Sequence, residues 1–72
     1  MQRYENRGGN SNVIAFTIGI DFIDVQFGGG RIYRYSYRSA GADKVEKMKE
    51  LANQGVGLNS YVKRFANNDY EK

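Results

Sequence analysis

Cysteine, histidine and proline are all missing from this chain of 72 residues. The first absence removes disulfides and thiolate metal sites, and the second removes the usual general base. A structural zinc, a redox role and a Cys–His nucleophile pair therefore fall away together, and catalysis would rest on Tyr, Lys or Ser unaided. Long apolar runs are missing too. The richest stretch, Val13 to Phe27, is interrupted by Asp21, Asp24 and Gln26, far short of the roughly 20 apolar residues of a membrane helix. The opening Met1-Gln2-Arg3-Tyr4-Glu5 lacks the apolar core of a signal peptide, so a cytoplasmic protein is expected, with no membrane partner. Acidic charge is in short supply, at 8 residues against 11 basic ones, for a net charge of +3. That balance fits an ordinary solvated surface as well as an anion-binding one. Asp21 and Asp24 do not make a catalytic carboxylate pair, because three residues apart on a strand they point to opposite faces. The expectation is a non-enzymatic module with no cofactor, no metal and no small-molecule substrate.

What is present centres on Gly28-Gly29-Gly30-Arg31-Ile32-Tyr33-Arg34-Tyr35-Ser36-Tyr37-Arg38. Three glycines supply the positive φ of a tight hairpin turn, and the residues after them alternate. In a strand, Arg31, Tyr33, Tyr35 and Tyr37 share one face, while Ile32, Arg34, Ser36 and Arg38 share the other. Two more strands precede the turn. Val13–Ile18 is β-branched and aromatic, and Phe22–Phe27 places Ile23, Val25 and Phe27 on one face and Phe22, Asp24 and Gln26 on the opposite one.

Beyond Arg38 the period lengthens. Val45, Met48, Leu51 and Ala52 form a helical apolar stripe, with Asp43 and Glu46 spaced as a capping box, Ser39 as the alternative cap of an earlier start, and Gly55 as the stop. Leu58, Tyr61, Val62 and Phe65 mark a second short helix, with Asn59 placed as its N-cap and Lys63 and Arg64 near its C-terminus. Residues 1–12 are expected to be a flexible tail, residues 13–66 a single domain, and residues 67–72 a frayed end.

The predicted fold class is α+β in two layers. A three-stranded antiparallel meander is followed by two short helices packed on one face, in the order βββαα. The helices cover the face with Ile23, Val25, Phe27, Tyr33, Tyr35 and Tyr37, making those tyrosines core walls. The alternative is that they form a stacking platform for bases.

The progression Ser11-x-x-Ile14, Gly19-x-Asp21, Val25-x-Phe27, Gly30-x-x-Tyr33-x-Tyr35 and Gly55-x-x-x-Asn59-x-x-Val62-Lys63 resembles the KTSC domain. That family is a short bacterial module named for the C-terminus of some lysyl-tRNA synthetases. The likeness runs over residues 11–65, and the family's central Tyr-x-Tyr falls on Tyr33 and Tyr35, with Gly55 and Asn59 as further motif positions. The chain departs from the pattern in lacking the Val-Pro that leads into the family's first helix, in a two-residue insertion after Tyr35 that alignment on Tyr35-Ser36-Tyr37 instead would absorb, and in having Gly57-Leu58 where the family has an aromatic pair. The resemblance implies a small α+β domain without an established activity, for which RNA binding is the suggested role. Arg34 and Arg38 on the open sheet face are the leading nucleic-acid contacts, with Arg31, Lys63 and Arg64 as further candidates. The alternative partner is another protein or a second copy of the chain, seated on the open sheet face beside Phe22 and Ile32.

Overall fold

A computed structural model describes residues 1–9 and 11–72. Its elements are β1 (Gln2–Arg3), β2 (Val13–Ile18), β3 (Phe22–Phe27), β4 (Ile32–Ser36), α1 (Ala42–Gln54) and α2 (Leu58–Phe65). Every strand pair is antiparallel, and the order across the sheet is the order along the chain. The fold is thus α+β, as the sequence predicts, but with four strands rather than three.

The extra strand lies where a tail is expected. β1 is too short to show any alternation, and it is held by backbone pairing of Gln2 with Phe16 and Arg3 with Ala15. The next residue, Tyr4, donates its amide to the Ile14 carbonyl at 2.8 Å and is 3% exposed. Its hydroxyl accepts the Leu58 amide at 3.3 Å. The flexible tail is therefore corrected at Gln2 to Tyr4, where one buried aromatic anchors a stretch otherwise poor in apolar residues. Asn10, also part of the expected tail, lies outside the described residues.

Gly29 and Gly30, at φ 95° and 91°, turn the chain from β3 into β4. Side chains other than glycine are strained there. The hairpin is regular, pairing Val25 with Tyr33, Asp24 with Arg34 and Ile23 with Tyr35. Phe16, Ile23, Val25 and Tyr35 make the inner face, and Val45, Met48 and Ala52 of α1 and Leu58 and Val62 of α2 cover it. All of these are buried, and each large one contributes about 1.5–3 kcal/mol relative to leaving it in water.

Tyr35 is a core wall as expected, whereas Tyr33 is half-buried and Tyr37 is exposed. β4 ends at Ser36, the Tyr37 amide closes the ladder on the Asp21 carbonyl at 2.9 Å, and the Tyr37 hydroxyl donates to the Glu46 carboxylate at 2.6 Å. That contact engages the residue expected to close a capping box. α1 starts after Gly41 with no side-chain cap. α2 likewise starts after Gly57, in the left-handed region at φ 84°, so Asn59 is the second residue of the helix rather than its N-cap. The cap is not needed in its usual form because Tyr4 takes the Leu58 amide.

α1 stops at Gly55 as the sequence predicts, at φ 75°. A Cβ on Gly55 would stand 2.7 Å from the Glu5 Cβ, and the Gly55 carbonyl accepts the Arg7 amide at 2.7 Å. This motif glycine thus serves the crossing of the N-terminal segment over the helix end.

The C-terminal segment is also placed rather than frayed at Asp69 to Glu71. Asp69 pairs with Lys44 at 2.6 Å, and the Glu71 amide donates to the Arg34 carbonyl at 2.7 Å along the edge of β4. Tyr70 rests on the ring of Tyr33. Among the described residues, no helix is long and apolar enough to cross a membrane.

Candidate functional site

The outer sheet face, expected to carry the nucleic-acid contacts, has its leading cation already engaged. The hairpin register sets Arg34 directly opposite Asp24. Nε and a terminal guanidinium nitrogen of Arg34 donate to the two carboxylate oxygens at 2.8 and 3.0 Å. The guanidinium carbon lies 4.0 Å from the centre of the Phe22 ring. Hydrogen bonding to Asp24 raises the Arg34 pKa further above its ordinary value, which fixes the positive charge but leaves it balanced where it stands. Arg38 does not join it. Strand parity would place the two arginines on one face, but β4 ends at Ser36, and Arg38 lies in the turn beyond. There it lines a groove with Ser39, Asn68, Tyr70, Glu71 and Lys72.

The remaining candidates converge elsewhere. A cleft of about 480 Å³ opens between the β3–β4 turn, α2 and the segment after α2. The turn delivers Arg31, and the next residues of the same parity, Tyr33 and Tyr35, continue its wall. From α2 come Asn59 and Lys63, one helical turn apart and hence on one face. Asn67, Asn68 and Tyr70 close the far side.

Among the described residues, no carboxylate side chain lines this cleft. Among the described residues, ion pairs engage Arg7, Arg34, Lys44, Lys47 and Lys49, but not Arg31, Arg38, Lys63 or Arg64. Arg31 donates one long hydrogen bond, 3.4 Å, to the Tyr33 hydroxyl, which raises its pKa and leaves most of its donors available. Deeper in, burial pushes the Tyr35 phenol up to about 12, with smaller contributions from Tyr33, Tyr70 and Asp69.

The structure thus assembles Arg31, Tyr33, Tyr35, Asn59 and Lys63 and separates them from Arg34, Arg38, Arg64 and Gly55. Arg64 does not line the cleft, and its guanidinium lies 5.5 Å from the Phe65 ring centre. Sequence reasoning missed Asn67, Asn68 and Tyr70. The available signal was Tyr70 itself, a single aromatic in a polar stretch after the last helix. It also missed the cancellation of Arg34. A hairpin symmetric about Gly29 sets Asp24 opposite Arg34, so that pairing was open to the same reasoning that found the turn.

Chemically, the cleft offers two cations for anionic oxygens, amides for polar edges and aromatic rings for a planar group. Among the described residues, no three acidic side chains gather as metal ligands would. Protein-family models, curated proteins and solved structures were all searched, and none matches the chain.

Proposed function

We propose that this protein is a small non-enzymatic module that binds single-stranded nucleic acid, RNA foremost, in the cleft between the β3–β4 turn and α2. The observation that carries this reading is the meeting of Arg31 and Lys63, both without a carboxylate partner among the described residues, beside Tyr33 in a cleft with no acidic lining. Unstacked bases are recognised by aromatic faces and by groups that hydrogen-bond their edges, and here Tyr33 and four asparagines, Asn12, Asn59, Asn67 and Asn68, supply both. The resemblance of Tyr33-x-Tyr35 and of Gly55 through Lys63 to the KTSC family supports the same reading.

Self-association over the outer face has less to draw on. Phe22 lies beneath the Arg34 guanidinium, which leaves Ile32, 55% exposed, as the apolar side chain that β4 offers a second copy.

The test is anisotropy of a short labelled RNA single strand titrated with the protein over a range of salt. Two phosphate contacts give a slope of log affinity against log salt of about −1.4. Replacing both Arg31 and Lys63 with Ala abolishes that binding with the circular dichroism spectrum unchanged, while Arg34→Ala leaves it in place. Loss of binding in Arg34→Ala alone would return the site to the outer face. No binding by the wild type at low salt would overturn the reading.

A further inference from the structure

Tyr70 comes to rest against two other rings. Its centroid lies 4.6 Å from that of Tyr33, with the planes at 47°, and 6.2 Å from that of Tyr35, nearly parallel at 28°. Phe27 meets Tyr33 edge-on at 5.8 Å, so Tyr70 supplies the second ring contact of Tyr33. Both separations lie within the range of aromatic ring pairs, the first tilted and the second stacked.

Tyr70 also divides two spaces. Together with Asn68, it lines both the cleft that holds Arg31 and Lys63 and the groove, again about 480 Å³, that holds Arg38 and Lys72. Four cations without an ion-pair partner among the described residues are thus distributed two to each side of one ring. The segment that carries the ring is neither helix nor strand. It is fastened by Asp69 to Lys44, by the Glu71 amide to the Arg34 carbonyl, and by the Ser36 hydroxyl to the Glu71 carboxylate. Among the described residues, none of these fastenings uses the Tyr70 hydroxyl.

We infer that Tyr70 is an internal stand-in for a nucleobase, and that a bound single strand turns it out and seats one base on Tyr33. The inference rests on the proposed function and names the form of its ligand. With Tyr70 displaced, the two grooves become one path. Phosphates on one side of the seated base then meet Arg31 and Lys63, and those on the other meet Arg38 and Lys72. A strand of several nucleotides gains both sets of contacts against the stacking it disrupts, while a mononucleotide gains one. The ligand is therefore a strand.

The experiment measures the affinity of the full chain and its variants for a labelled oligoadenylate RNA single strand. Tyr70→Ala is expected to bind about tenfold more tightly, because the base no longer competes with an aromatic contact. Tyr70→Phe, which keeps the ring, is expected to match the wild type. In the Tyr70→Ala background, replacing Arg38 and Lys72 with Ala is expected to remove at least half of the gain. Unchanged or weaker binding by Tyr70→Ala overturns it, and the cleft reading survives that result if wild-type binding still depends on Arg31 and Lys63. Absence of binding by both proteins overturns the cleft reading and the inference together. Should Tyr70→Ala lose its cooperative melt, Asp69→Asn loosens the same segment with the ring kept. It must then tighten binding by about twofold, which a merely structural segment would not do.

Discussion

The outer sheet face and the cleft each set an arginine beside an aromatic ring, yet only on the outer face is the charge balanced by a carboxylate. On the outer face, Asp24 takes two donors of Arg34 and Phe22 lies under the guanidinium. An anion arriving there meets a guanidinium whose charge a carboxylate already balances. In the cleft, Arg31 spends a single long bond on a neutral phenol, and Lys63 has no acidic neighbour within ion-pair distance among the described residues. Two cations with equal formal charge thus differ in what they can offer, and the difference is made by cross-strand register. The regions also differ in depth. The outer face rests on a surface ion pair, whereas the wall of the cleft includes Tyr35, 2% exposed and part of the core.

That contrast can be broken most directly at Tyr35. Tyr35→Ala is expected to destabilise the protein by about 3–5 kcal/mol, the range for large aromatic truncations in a core. A thermal midpoint close to the wild type would show that the cleft is not built on the core at all.

The next largest effect is alkaline. Burial raises the folded pKa of Tyr35 from 10.0 to about 12, so the unfolded chain releases this proton at lower pH than the folded one. The contribution is fully present below the unfolded pKa and is lost as pH climbs toward the folded one. Over that window stability is expected to fall at up to about 1.4 kcal/mol per pH unit, on the order of 2 kcal/mol in all. Urea midpoints measured across the window, with Tyr35→Phe as the control lacking that part of the slope, check it.

A smaller change tests how α2 is held against the cleft. Tyr4→Phe removes the acceptor for the Leu58 amide and leaves a buried donor unpaired. The expected cost is about 1–2 kcal/mol by chemical denaturation, and an unaltered midpoint would mean that Tyr4 does not pin the helix.

The smallest effect on stability sharpens the comparison most. Asp24→Asn is expected to cost less than about 1 kcal/mol, as exposed ion pairs do, while releasing the Arg34 charge. The salt slope of RNA binding should steepen by about 0.7 if that pairing is what silences the outer face. An unchanged slope would assign the silence to the shape of the face instead.

Much of this architecture was legible in the residues. The alternation of Phe22–Phe27 and Tyr33 to Ser36 gave the strands their facing, the triple glycine gave the turn, and the Val45–Met48–Ala52 spacing gave the covering helix. What escaped was held by contacts between distant residues. β1 is fixed by pairing with β2 and by Tyr4 meeting Leu58, 54 residues away, and neither leaves a local period to read. Tyr70 escaped in the same way, as an isolated ring in a polar context. The grouping of the candidate cations is not legible from strand parity, because the strand ends at Ser36, short of Arg38. Parity holds only as far as the ladder does.

The sheet's sequential order carries a consequence for how the molecule forms. Neighbouring strands joined by short turns close small loops, so β2, β3 and β4 can zip together early at little entropic cost. The Tyr4–Leu58 clasp closes a loop of 54 residues and repays that cost only once the rest is in place. It is therefore the last piece to lock and the first to let go, so β1 should open while the meander stays shut. Hydrogen exchange at the Leu58 amide would then run faster than at Val25 in the sheet centre, giving a clock for the terminal strand that is separate from global unfolding.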